Sequence, residues 1–139
     1  MDKKLIGLIL VFFIAFGLFV SILVFQQPIT KLTKAKEEFL PSPTKSLVFA
    51  WPNSLPADGK SESVITVFVR NEKEFPITNK KVTLTTTLGT IKEIQPVSDK
   101  QGKTEFKLSS TSSGVAQIKA TIDNSLKLTQ TISVQFENK

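Results

Sequence analysis

The sequence predicts an all-β sandwich of about seven strands preceded by one N-terminal transmembrane α-helix. Three observations carry the prediction. They are an unbroken apolar run from Leu5 to Phe25, a proline-marked boundary at residues 41–43, and a succession of short Val-, Ile-, Thr- and Phe-rich runs after Lys45, punctuated by Gly, Pro, Asn and Asp.

The apolar run comes first. Its twenty-one residues, LIGLILVFFIAFGLFVSILVF, include Ser21 as the one polar side chain and no charge, and about 20 such residues span the hydrocarbon core of a bilayer. A cleavable signal peptide has a shorter apolar region, about 7 to 15 residues, followed by small residues at the cleavage site. Here the run passes into Leu23, Val24, Phe25, Gln26 and Gln27 without a small-x-small site, so residues 1–27 are expected to form an uncleaved signal anchor touching the lipid bilayer through Leu5 to Phe25. A pilin-like leader, suggested by Lys3, Lys4 and Gly7, requires a Glu at the fifth position after the glycine; that position holds Phe12. Lys3 and Lys4 precede the run and Lys31, Lys34, Lys36 and Lys45 follow it, so flanking charge does not orient the helix. The β-rich remainder does, by its extracytoplasmic character: single-pass, N-terminus cytoplasmic, C-terminal domain outside. Gly17 and Ser21 make a small-xxx-small pair through which two helices can approach, so an oligomer is possible.

Residues 28–45 read as a juxtamembrane connector. Pro28 lacks an amide donor and is expected to interrupt the helix and end the apolar span. Ile29, Leu32, Ala35 or Lys36, and Phe39 recur at near-helical spacing, which suits either a short amphipathic helix or a tether. Pro41, Ser42 and Pro43 then mark the domain boundary. Ser42 and Lys45 form an SxxK string of the kind Ser/Lys acyl enzymes use, but it lies between prolines and lacks the companion SDN and KTG motifs, so it reads as chance.

Residues 46–139 hold the β domain. Strands are expected near residues 47–51, 62–70, 81–87, 90–94, 104–108, 115–122 and 126–136, an immunoglobulin-like count. Alternation assigns faces because successive side chains point to opposite sides of a strand. Phe106 and Leu108 point inward, as do Val82 and Leu84, then Ala116, Ile118, Ala120 and Ile122, and finally Leu126, Leu128, Ile132, Val134 and Phe136. The run Val64, Ile65, Val67, Phe68, Val69 is apolar on both parities, which predicts a central strand covered on both sides. Asp58–Gly59, Asp99–Gly102 and Asp123–Asn124 suit turns, where an Asp caps backbone amides more readily than it binds calcium.

Composition narrows the chemistry. Cys, His and Tyr are absent from the 139 residues, which removes disulfides, thiolate ligands, the commonest general base and a phenolic acid. Five of the eleven Phe fall between Phe12 and Phe25. The net charge of +6 divides evenly, with six basic and three acidic residues in 1–45 and twelve and nine in 46–139. Scattered among acids, the basic residues make no nucleic-acid stripe. Asp58, Glu62, Glu72, Glu74 and Glu93 suggest no catalytic pairing, and no cofactor or metal site is expected.

Three stretches resemble the bacterial Ig-like domain of the invasin and intimin family, the Big-1 type. LPADGKSESVITVFVRNEKEFPI, residues 55–77, is similar to that family's opening turn, strand and Asp-x-x-Gly-x-Pro-Val loop. VTLTTTLGTI, residues 82–91, resembles its strand ending in Gly; SDKQGKTEFKLSSTSSGVAQIKAT, residues 98–121, resembles its Asp-x-x-Gly-x-Ala turn and the strands that flank it. Asn71 and Glu74 stand where the family has Asp and Gly. Antibody hallmarks are absent: there is no Cys pair and no Tyr corner, and Trp51 lies near the first strand instead of the third. The resemblance implies an extracellular sandwich in which such copies often act as spacers. The expected function is therefore a non-catalytic, membrane-anchored module for cell-surface binding, adhesion or presentation, with a surface protein or envelope polymer as partner. The alternative is a structural subunit of an envelope, secretion or pilus-like assembly. Candidate contact loops are Asn71, Glu72, Lys73, Glu74 and Phe75, with Phe75 read as a packed loop anchor, and Ser109, Ser110, Thr111, Ser112 and Ser113.

Overall fold

A computed structural model describes residues 2–138, and the side chains of these other than 24–38. The chain divides into two compact units, residues 1–37 and 38–139.

The first unit is the helix α1, Lys3–Glu38. Its stretch Lys3–Leu23 is long and apolar enough to cross a membrane, and its large apolar side chains from Leu5 to Leu23 are exposed, with Phe12 and Phe16 stacked along one side. Val24 and Phe25, together with the amphipathic spacing over Ile29, Leu32, Ala35 and Lys36, concern side chains outside those described. The helix does not stop at Pro28 as expected; its backbone runs on to Glu38. One missing amide removes one i to i−4 bond, and the turns on either side carry the helix past it.

The second unit is a sandwich of eight strands: β1 Leu47–Trp51, β2 Ser54–Pro56, β3 Ser63–Phe68, β4 Val82–Thr86, β5 Thr90–Gln95, β6 Lys103–Ser109, β7 Gly114–Ile122 and β8 Leu126–Glu137. They form two four-stranded sheets, ordered β1-β3-β6-β5 and β2-β8-β7-β4. The expected seven strands are all present; β2 is the addition. It is three residues long and pairs parallel with the end of β8, Leu55 opposite Phe136. Between β1 and β2 the chain changes sheet, at a cis Trp51–Pro52 peptide.

Alternation places the core where the sequence predicts it. Phe106, Leu108, Val82, Leu84, Ala116, Ile118, Ala120, Ile122, Leu128, Val134 and Phe136 are buried between the sheets, and Leu126 and Ile132 pack partly buried at its margin. Ile65, Val67 and Val69 complete it from β3 and the residue beyond. β3 is central, between β1 and β6. It is covered on one side only, because Val64, Thr66 and Phe68 on the other parity remain half-buried. No helix or second sheet lies over that face among the described residues of this unit, so double burial does not follow from central position.

Residues 41–46 also depart from the expected boundary. They are part of the sandwich: the Ser42 amide donates to the Arg70 carbonyl at 2.7 Å, the Thr129 amide donates to the Pro43 carbonyl at 3.1 Å, and Ser42 and Ser46 are buried. Pro41 and Pro43 stiffen a strap lying against the sheets.

Phe106 is fully buried on an interior strand, and its truncation leaves a cavity that strands on both sides resist closing. Phe106→Ala is expected to lower unfolding stability by about 3 to 5 kcal/mol, measured by chemical denaturation followed through the single Trp51.

Candidate functional site

The two loops singled out from sequence lie at opposite ends of the sandwich. β6 connects the ends: its first residue, Lys103, pairs with Phe68 shortly before Asn71, and its last, Ser109, leads into the second loop. One end therefore gathers residues 41–46, the Asn71–Phe75 loop, the Asp99–Gly102 turn and the Asp123–Asn124 turn. The other gathers the Asp58–Ser61 turn, Gly89, the Ser109–Ser113 loop and the last residues of β8. No single site contains both loops.

At the first end, Asn71 organises its loop from within. It is buried, its side-chain oxygen accepts the amides of Lys73 at 3.0 Å and Phe75 at 2.9 Å, and its own amide donates to the Phe75 carbonyl. The one side-chain oxygen caps both amides and closes the loop. Glu74 has a φ of 67°, a left-handed conformation that costs a side-chain-bearing residue free energy. Its carboxylate binds Lys45 Nζ at 3.0 Å, and that hydrogen bond, then the charge of Lys45, holds its pKa below the ordinary value. This contact disposes of the Ser/Lys string: Lys45 Nζ is engaged by Glu74, while Ser42 Oγ accepts the Lys45 amide and donates to Glu72. Ser42 is a buried turn-former whose hydroxyl is held by Glu72 and not by the Lys45 ammonium.

Phe75 is not the packed anchor expected. It is 61% exposed, because Asn71 already closes the loop and leaves the ring outside. With Phe39, itself 71% exposed, it lines an open groove of about 540 Å³ bounded by Pro76, Ile77, Asn79 and Lys80. The adjacent turn depends on Gly102, whose φ is 72° and whose missing Cβ leaves room for the Val69 carbonyl. Asp99 Oδ1 accepts the amides of Gln101 and Lys103 there, and these bonds, the Lys103 amide foremost, hold its pKa down.

The opposite end is polar. Ser110 is buried, its hydroxyl donates to the Ser112 carbonyl at 2.7 Å and its carbonyl accepts the Gly59 amide at 2.9 Å. Asp58 Oδ1 accepts the amides of Ser61 at 2.6 Å and Lys60 at 2.8 Å, and the Ser61 hydroxyl donates to Oδ2. The Ser61 amide, then that of Lys60, pulls the Asp58 carboxyl down to about 2. Between these turns lies a second hollow of about 370 Å³, lined by Gly59, Leu88, Gly89, Thr90 and residues 109–112. Thr111, Ser112 and Ser113 are exposed. The described residues hold no cluster of three potential metal ligands.

A third surface lies outside both loops. On β1, Phe49 and Trp51 stand 51% and 76% exposed on the outer face of their sheet. The run LVFAW is apolar on both parities, so pattern alone does not say which side faces water.

Comparison with known proteins agrees with this fold. The sequence profile of the family described as bacterial Ig-like domain (group 1) matches residues 45–137. Among solved structures, the Yersinia pseudotuberculosis adhesin InvE is 25% identical with a TM-score of 0.65, over 72% of this chain and 28% of that one. Invasin, an integrin-binding bacterial protein, is 27% identical with a TM-score of 0.66, over 71% of this chain and 20% of its own. A fragment of intimin solved with the intimin-binding domain of the translocated intimin receptor is 25% identical with a TM-score of 0.56, over 70% and 33%. This chain spans less than a third of the first two structures. No curated protein matches the sequence.

Two outcomes follow from the loop chemistry. Glu74→Gly removes the left-handed penalty at the loss of one exposed ion pair, and is expected to raise stability by about 0.5 to 1 kcal/mol in denaturant melts. The folded pKa of Asp58 lies below its unfolded value, so its stabilisation is complete above about pH 4 and disappears as pH falls through about 2. Between those values the melting temperature of the native chain should fall more steeply than that of Asp58→Asn.

Proposed function

Because the chain belongs to the group 1 bacterial Ig-like domain family, we propose that it is a non-catalytic surface adhesion module, held by Leu5–Phe25 in the cell membrane with residues 46–139 outside. The observation that carries this reading is the order of parts: a helix long and apolar enough to cross a bilayer, followed by a sandwich of a family whose members include adhesins. The N-terminus is cytoplasmic in this reading, and residues 1–27 act as an uncleaved anchor.

The ends of the sandwich then have different duties. The chain enters beside the Asn71–Phe75 loop, so that end is nearer the tether along the chain. At the other end Thr111, Ser112 and Ser113 are exposed and offer their hydroxyl groups to a protein partner. Invasin binds integrin and intimin binds its translocated receptor; a surface protein is the corresponding class of partner here. The geometry of Ser42 and Lys45 supports the absence of acyl-enzyme chemistry.

Trypsin shaving of intact cells tests the topology. Cleavage among Lys31, Lys34 and Lys36 should release a fragment containing residues 46–139, leaving residues 1–31 in carbonate-washed membranes. A chain that stays intact outside cells and becomes cleavable only after lysis would sink the proposal.

A further inference from the structure

The end of the sandwich that receives the chain differs from the opposite end in both polarity and charge. Phe39 and Leu40, by which the chain enters, are exposed, and so is Phe75, which shares the open groove with Phe39. Leu40 borders a neighbouring hollow of about 340 Å³ with Pro41, Ile122 and Leu126, and Lys80 lines both hollows. Among the described residues of the opposite end, in 53–61, 87–90 and 109–114, no large apolar side chain is exposed.

Charge divides the same way. Residues 39–46, 70–81, 98–102 and 123–125 hold six basic residues, Lys45, Arg70, Lys73, Lys80, Lys81 and Lys100, against four acidic ones. Two of the acids are already engaged, Glu74 by Lys45 at 3.0 Å and Asp123 by Lys80 at 2.9 Å, and Asp99 is capped by backbone amides. Among its described residues, the opposite end sets Lys60 against Asp58 and Glu137.

Exposed phenylalanine and leucine set among lysines have the chemistry of a bilayer interface. The rings enter the boundary between headgroups and acyl chains, the lysine stems follow them, and the ammonium groups stay at the phosphates. Chain continuity favours this partner over a free one. Phe39 follows Phe25, the last residue of the apolar run, by fourteen positions. The backbone between them is helical to Glu38, so at about 1.5 Å per residue the tether reaches about 21 Å. The lipid surface is therefore always within that reach of the entry end, at an effective concentration that no untethered partner has. A contact too small to hold a free protein is then sufficient.

We propose that the entry end of the sandwich docks on the bilayer surface, with Phe39, Leu40 and Phe75 in the boundary between headgroups and acyl chains and Lys73, Lys80 and Lys81 against anionic headgroups. The proposal rests on the anchored reading above.

The absence of native cysteine allows one dye to be placed at either end. Thr78, on the groove, and Ser113, in the opposite loop, are both exposed. Full-length Thr78→Cys and Ser113→Cys chains are labelled separately with an environment-sensitive dye in vesicles of phosphatidylcholine and phosphatidylglycerol that contain a lipid spin-labelled near its headgroup. The Thr78→Cys dye should shift to the blue and be quenched by the spin label; the Ser113→Cys dye should do neither. Adding Phe39→Ser and Phe75→Ser should abolish both signals, with circular dichroism unchanged because the two rings lie outside the core. Lys73→Gln and Lys81→Gln should each lower the docked-to-free ratio, read from the two lifetimes of the dye, about fivefold, the equivalent of about 1 kcal/mol per lysine at an anionic surface. A Thr78→Cys dye that stays unquenched overturns the docking, as does equal quenching at the two positions or quenching that survives the loss of both rings. A ratio indifferent to both lysines overturns the assignment of anionic headgroups. In a chain that withstands a carbonate wash these failures belong to the docking alone; a chain that carbonate strips from the vesicles overturns the anchored reading and the docking with it.

Discussion

The sandwich depends on the contact between the inner rows of β3 and β6 and those of β7 and β8. There is no cysteine to join the sheets, so Ile65, Val67, Phe106 and Leu108 on one side and Ala116, Ile118, Val134 and Phe136 on the other must hold them by burial and close packing alone. Alanine at positions 116 and 120 lets the sheets approach, and the large rings of Phe106 and Phe136 fill the space that remains. The long central strands follow from this: a dry core of that width needs several inward side chains in succession from each strand.

Around this core the polar groups are closed off locally. Thr104 donates to the Val67 carbonyl, Ser63 to that of Pro52 and Ser98 to that of Ile77, and no buried side-chain donor or acceptor among the described residues is left without a partner. Asp58, Asn71 and Asp99 each gather two backbone amides, so three loops at two ends are built by the same device. These amides hold the Asp58 carboxyl low.

Much of the fold was legible in the sequence because period-two alternation reports directly on which face is buried. Thr104, Glu105, Phe106, Lys107, Leu108 is such a case, since two charges in five residues leave one solution. The outer face of β3 is not legible in this way, because Val64 and Phe68 carry no charge to betray their partial exposure. β2 was invisible: three residues ending in Pro56 make no pattern, and their partner lies about eighty positions away in β8. Pro41 and Pro43 read as a boundary because proline usually ends regular structure, yet the strap they stiffen is held by Arg70 and Thr129, which only the folded chain brings near. Nothing local places the two candidate loops at opposite ends; only the strand pairing does. Asn71 and Glu74 build the loop in ways no local pattern reveals, one by capping two amides with its oxygen and the other by accepting a left-handed backbone.

The parallel pairing of β2 with the end of β8 has a mechanical meaning. The chain enters at one end of the sandwich and β8 finishes at the other, so tension between the two termini draws β2 and β8 in opposite directions along their length. The ladder of Ser54–Pro56 against Gln135–Glu137, extended by the Gln135 amide on Asn53 and the Ala57 amide on Glu137, is loaded in shear, with its hydrogen bonds stretched together instead of opened one after another. A small domain built this way yields slowly under load, its lifetime set by the unfolding rate and not by equilibrium stability, and behaves as a stiff link between whatever grips its two ends.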